Sequence, residues 1–177
     1  MKESYICIMK LQEAKEQFIQ LWGVLGTSWG INRTMAQIHA LLLISPTALS
    51  TEDVMAQLSI SRGNANMNLR DLMTWNLIYK ELKQGERRDF FRAEKDIWEV
   101  AKRIIKERKR REIEPLMQAL VSFNNLSDDK KNPEVKAFLK STSDINHVVG
   151  KMDNAVSTLL QVEESKLAGI LFSILKK

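Results

Sequence analysis

With 177 residues, 44% of them apolar and 28% charged, the chain has the composition of a soluble globular protein and the length of one domain, or of one domain with an oligomerisation extension. Its one cysteine, Cys7, excludes an intramolecular disulfide and suits a reducing cytosol. No apolar run approaches the ~20 residues that span a bilayer, and the N-terminus lacks a signal-peptide core, so a cytoplasmic protein without a membrane partner is expected. The net charge of +5 is unevenly spread: Ser61 to Arg111 holds 15 Lys/Arg against 8 Asp/Glu, leaving 12 against 14 elsewhere. A basic third of this kind suits a polyanionic partner, although an ordinary solvated helix with excess lysine has the same composition.

A first helix is predicted over Met9–Ser28, where Leu11, Phe18, Trp22, Leu25 and Trp29 share one face, with Gly26 and Gly30 loosening its end. A second begins near Asn32 or Arg33, carries Met35, Ile38, Leu41 and Leu42, and stops before Pro46. Ser50 then reads as an N-cap with Asp53 three residues on, and Leu49 and Val54 are placed as a hydrophobic staple for a short helix, Thr51–Leu58. Ser61 caps the next helix, with Ile60 and Ala65 as a second staple, and Asn76 offers a left-handed stop just after Trp75.

The pattern next turns extended. Leu77–Leu82 and Asp89–Ala93 are rich in β-formers and flank the polar loop Lys83 to Arg88, which contains Gly85, so a β-hairpin with a charged tip is predicted. A long helix follows from near Asp96, and Pro115 either kinks it or opens another. A loop over Asn125–Asn132, a helix from Pro133 and an amphipathic tail from Met152 to Leu175 in two pieces complete the chain.

Helix, helix, short helix, capped helix and hairpin is the order of a winged helix-turn-helix. The fold expected is mainly α with a small two- or three-stranded β-wing. A winged helix-turn-helix over 32–95 lies between an N-terminal dimerisation helix (1–31) and a helical dimerisation region (96–177). The capped helix has two faces. Ala65, Leu69 and Leu72 form one, while Gly63, Asn66, Met67, Arg70 and Thr74 form the other, with Asn64 on its flank.

Asn pairs bidentately with adenine, Arg with guanine, and Met touches a thymine methyl. Gly63 leaves room for close backbone approach, and Asn64, Asn66 and Asn68 are poor helix formers, which points to a demand other than helix stability. A solvated helix with capping asparagines is the plainer alternative. The candidate DNA contacts are therefore Ser61, Arg62, Gly63, Asn64, Asn66, Met67, Asn68 and Arg70 on the helix, with Lys83, Arg87 and Arg88 on the hairpin. Charge that protects an edge strand also accounts for Arg87 and Arg88. The run from Lys102 to Arg111 fits either DNA backbone contact or a solubilising face paired with Glu107 and Glu112.

Gly30-Ile31-Asn32-Arg33-Thr34, Ser59-Ile60-Ser61-Arg62-Gly63-Asn64, Met67-Asn68-Leu69-Arg70, Ala93-Glu94-Lys95-Asp96-Ile97-Trp98 and the stretch Glu107 to Pro115 resemble the GbsR branch of the MarR-like winged helix-turn-helix regulators. The resemblance runs from about Trp22 to Leu116 and fades beyond. It implies a homodimer on an operator in double-stranded DNA, with terminal helices at the dimer interface and Ser61 to Trp75 as recognition helix. A repressor acting on a palindromic site follows from that reading. Some relatives are tied to choline and glycine betaine.

Core or dimer packing explains Trp22 and Trp29 most simply. A small effector held between helices would make Trp22, Trp29 and Trp98 its candidate contacts. An enzyme is not expected. His39 and His147 are far apart, His39 sits among apolar residues, and neither a phosphate loop nor a nucleophile motif is present, so no cofactor or metal is implied. The second reading is a winged helix used for protein or RNA contacts.

Overall fold

The computed structural model describes residues 9–28, 30–129 and 131–161. The described chain divides into two compact units between Val100 and Ala101. The elements of the first unit are α1 (Leu11–Ser28), α2 (Arg33–Ile44), β1 (Leu49–Ser50), α3 (Thr51–Leu58), α4 (Arg62–Thr74), β2 (Ile78–Glu81), β3 (Phe90–Ala93) and the start of α5 (Ile97–Arg108). The three strands form one antiparallel sheet in the order β1-β3-β2, with Leu49 opposite Phe91, Ser50 opposite Phe90 and Ile78 opposite Ala93. The fold is mainly helical with a small three-stranded sheet, as expected of a winged helix-turn-helix, and the third strand, β1, is the one that the hairpin pattern alone leaves undecided.

α2 is the centre of the first unit. Its residues Met35, Ala36, Ile38, His39, Ala40, Leu41 and Leu42 are all buried, because α1, α3, α4 and β3 each pack against it. Side chains on so many faces explain why its apolar pattern reads as more than one stripe. Asn32 caps its start by accepting from the Thr34 N–H at 2.8 Å. The ammonium of Lys95, from the junction of β3 and α5, closes its end by donating to the carbonyls of Leu42, Leu43 and Ser45 at 2.9, 2.6 and 2.8 Å. These carbonyls have no partner further along the helix, so a cation placed there satisfies them and opposes the negative end of the helix dipole.

Gly26 does not loosen the end of α1 as its sequence position suggests. It is buried within α1 at the crossing with α2, where an added Cβ would stand 2.5 Å from that of Ala36. The helix ends instead at Gly30, in the left-handed conformation at φ 74°, with Ile31 N–H on Gly26 O and Gly30 N–H on Thr27 O. That pair of bonds is the Schellman arrangement. α4 ends the same way at Asn76, φ 56°, with Leu77 N–H on Leu72 O and Asn76 N–H on Met73 O.

In the second unit α5 passes through a π-helical turn, Lys109–Ile113, into α6 (Glu114–Ser122), which has Pro115 in its first turn. A 3₁₀ turn (Phe123–Asn125) and a loop lead to α7 (Pro133–Gln161). Of the two expectations for Pro115, the structure shows the second: it lies in the first turn of a new segment, α6, where its missing N–H is absorbed. The tail expected to begin at Met152 is not separate. α7 runs unbroken through Gly150 to Gln161, and the rest of that tail lies outside the described residues.

His39 packs between α1 and α2. Trp22 Nε1–H donates to its Nδ1 at 3.3 Å, and Phe18 stacks on Trp22 with ring centroids 5.5 Å apart. Burial, aided by the charge of Lys95, holds the imidazole pKa at about 4, so it is neutral at pH 7. A folded-state value below the ordinary 6.5 means that the folded protein binds fewer protons than the unfolded chain. This contribution is fully present above pH 6.5 and is lost as pH falls towards 4. The protein should therefore lose about 2 kcal/mol of stability between pH 7 and pH 5. Denaturant melts at the two values check this, with His39→Gln expected to flatten the difference.

Candidate nucleic-acid interface

α3, the turn Ser59 to Ser61 and α4 form the helix-turn-helix. Ser50 caps α3 in a reciprocal box: Asp53 N–H donates to Ser50 Oγ at 3.2 Å, while the Ser50 N–H and hydroxyl donate to Asp53 Oδ2 at 2.8 and 2.7 Å. The Ser50 hydroxyl and backbone N–H hold the Asp53 carboxyl below the usual carboxylate range. Ser59, left-handed at φ 53°, turns the chain, and Ser61 Oγ accepts from the Asn64 N–H at 3.3 Å to start α4.

The inner face of α4 is Ala65, Asn68, Leu69 and Leu72, all buried. Asn68 is thus a correction: it does not face outward with the other candidates. Its Nδ2 donates to the Asn64 carbonyl at 2.8 Å and to Asn64 Oδ1 at 2.7 Å, which fixes the Asn64 side chain along the helix flank. The spacing carried the signal, since Asn68 lies three residues after Ala65 and four before Leu72.

The outer face carries Gly63, Asn66, Met67 and Arg70. Arg70 is exposed and makes no ion pair among the described residues, and Met67 is 52% exposed. Arg62 is tied to Glu52 of α3 at 3.0 Å, so it is a helix-to-helix brace as well as a surface cation. Gly63 is a separate case. Its φ is ordinary and a Cβ there would meet nothing within 4 Å, so neither conformation nor internal packing requires glycine.

On the hairpin the three cations differ. The Lys83 ammonium lies 3.9 Å from the Phe90 ring centroid and donates to the Ala48 carbonyl at 3.3 Å, which draws it to the base of the wing and joins the loop to β1. Arg88 pairs with Glu86 at 3.1 Å, beside Gly85 at φ 81°. Arg87 is exposed and has no ion pair among the described residues. Lys80–Asp89 and Arg92–Glu81 pairs, at 2.8 and 2.9 Å, lace the two long strands together.

The basic run after Lys102 is largely internally matched. Arg108 pairs with Glu112 at 3.0 Å, Lys109 with Asp153 at 3.1 Å, and Arg110 and Arg111 both with Glu107 at 2.6 Å. Hydrogen bonding from Arg110 leads in holding Glu107 below the ordinary carboxylate range, against the opposing effect of burial. Of the two functions this run could serve, the pairing favours the solubilising and bracing one.

Of the aromatic candidates, Trp22 is engaged with Phe18 and His39, and Trp98 is half-buried with an indole N–H that finds no acceptor among the described residues. No ring contact joins Trp22 to Trp98, and Trp29 lies outside the described residues, as does Cys7. Among the described residues no three His, Cys, Asp or Glu side chains converge as metal ligands, and no helix is long and apolar enough to cross a membrane. Lys95 and Glu52 are the residues that sequence reasoning missed. Their roles depend on pairings across 53 residues and between two helices, which no local pattern reports.

No family model and no curated protein matches the sequence. Among solved structures, the chain superposes on one described as a transcriptional regulator with a TM-score of 0.62 and 21% identity, over 83% of this chain and 95% of that one. That likeness carries the fold. Looser matches include S. aureus MepR in a DNA-binding conformation (TM-score 0.39, 19% identity, 75% of this chain and 93% of that one). A MarR protein from Peptoclostridium difficile gives a TM-score of 0.38 and 13% identity, over 86% of this chain and 97% of that one.

Because the space at Gly63 is empty and its backbone lies in the helical range, Gly63→Ala should raise stability by about 0.5–1 kcal/mol through reduced unfolded-state freedom. Thermal or urea unfolding of the purified variant measures it, and a loss of stability would show that the position is packed.

Proposed function

We propose that the chain is a sequence-specific DNA-binding transcriptional regulator of the GbsR branch of the MarR-like winged-helix proteins, a cytoplasmic repressor acting as a homodimer on a palindromic operator. The observation that carries the reading is the outer face of α4. It presents an arginine with no ion pair among the described residues, an amide and a thioether beside an empty glycine position, on a rigid helix whose opposite face is locked in the core. A major groove about 12 Å wide accepts such a helix, and these side chains match its donor and acceptor pattern. A glycine that the fold does not require, at the start of that face, suits close approach to a phosphate or base edge.

Arg87 extends the reach to the neighbouring DNA backbone from the wing, while Lys83 and Arg88, engaged with Phe90, Ala48 and Glu86, shape the wing itself. Residues 1–31 and 96–177 supply the dimerisation surfaces, and two-fold symmetry then sets half-site centres about 10 bp, or a multiple of it, apart. The chemistry required is recognition and not bond-making, so a non-enzymatic role follows.

Base readers and phosphate contacts leave different signatures. Arg70→Ala should cost about 1–3 kcal/mol on the best site and relax preference at one base position, with a smaller loss on random duplex. Arg87→Ala should weaken both kinds of duplex by similar factors and lower the salt slope by about one unit. Gly63→Ala should bind DNA more weakly despite its greater stability. Titrations of labelled duplexes matched in A·T content and run at several salt concentrations separate these effects. Undiminished binding by Arg70→Ala on every sequence would move the assignment to a winged helix used for protein contacts.

A further inference from the structure

The helix-turn-helix is not itself basic. From Ser50 to Trp75 it holds two cations, Arg62 and Arg70, against three acids, Glu52, Asp53 and Asp71. Asp53 is spent on the box with Ser50 that starts α3. Glu52, the residue before it, reaches across the turn instead: its Oε1 lies 3.0 Å from Nη2 of Arg62, the first residue of α4. Both side chains stand at the surface, Arg62 63% and Glu52 40% exposed. An ion pair as open as this adds little to stability, so bracing alone is a weak reason for it.

Its position supplies a stronger one. The first residues of a recognition helix are those that meet base edges in the major groove. A guanidinium carries five N–H donors in a rigid plane, and the contact with Glu52 leaves most of them open. A carboxylate so close offsets much of the attraction that the guanidinium would feel for a phosphate. It does not remove the N–H donors. The O6 and N7 acceptors of guanine are uncharged, and arginine binds them through two donors in one plane. Holding a long side chain in place beforehand also lowers the rotamer freedom lost on binding. We propose that Arg62 reads a guanine in the operator and that Glu52 is its positioning residue, holding the guanidinium in one orientation. This inference rests on the DNA-reading function of the preceding section. It adds a named base to that function and brings α3 into recognition through Arg62. The helix-turn-helix then reads bases with few net charges of its own, while the wing supplies a phosphate contact.

Random duplexes selected on the parent and on full-length Arg62→Ala and Glu52→Gln test this, with salt titrations on the enriched site and on random duplex. The parent pool should carry a guanine at one position of each half-site. Arg62→Ala should lose about tenfold or more of the discrimination at that position, with a salt slope close to the parent's. Glu52→Gln should relax the same position about threefold, a change that loss of a mere brace would not produce. Neither variant should bind random duplex appreciably more weakly than the parent, which also shows that both fold. A guanine preference that survives either substitution would leave the pair a brace and overturn the assignment. So would a Glu52→Gln chain that binds operator and random duplex more tightly by the same factor, with a steeper salt slope, since Arg62 would then be a phosphate contact that Glu52 restrains. A parent pool with no enriched site would remove base reading by α4 altogether, an outcome distinct from a parent guanine that both variants retain.

Discussion

Ser50 belongs to two structures at once. Its backbone pairs with Phe90 in the sheet that forms the wing, while its N–H and hydroxyl complete the box with Asp53 that starts α3. Its side chain is fully buried. A strand residue and a helix cap that are the same residue cannot be displaced independently, so the wing and the helix-turn-helix share one reference point. A capping interaction of this kind is worth about 1 kcal/mol when exposed, and more is lost when the freed donors are buried. Lys83, bonded to the carbonyl of Ala48 two residues before Ser50, adds the loop of the wing to the same joint.

From that joint the distribution of charge follows a simple division. Cations that brace the fold have partners: Arg62 with Glu52, Arg92 with Glu81, Lys95 with the end of α2, Arg110 and Arg111 with Glu107. Arg70 and Arg87, which project from the outer face of α4 and from the wing, make no ion pair among the described residues. A positive total charge alone says little about a partner, since it does not show which cations are held by internal partners. The cations that remain unpaired on a rigid frame mark where an outside anion fits.

Much of this was legible in the sequence because it is local. The Ser50–Asp53 box, the Ser61 cap, the Asn76 stop and both hairpin strands each depend on a few neighbouring residues, and the structure places them within about a residue of where their chemistry does. What was not legible depends on partners distant in the chain. β1 is two residues long and exists only because Phe90 and Phe91 lie beside it. Gly26 reads as a helix breaker until Ala36 is found against it. The separate tail expected from Met152 is instead continuous with α7, which runs through Gly150, where a mid-helix glycine costs only about 1 kcal/mol. On α4, Asn68 was grouped with the outward asparagines by composition, whereas its spacing from Ala65 and Leu72 assigns it to the core.

The central claim is that the outer face of α4 reads a DNA sequence. Selection of random duplexes on the purified full-length chain, followed by sequencing of the retained pool, tests it most directly. The account predicts enrichment of a two-fold symmetric site whose half-site centres lie about 10 bp, or a multiple of it, apart, with binding that weakens steeply as salt rises. A retained pool with no enriched sequence at moderate salt would contradict it.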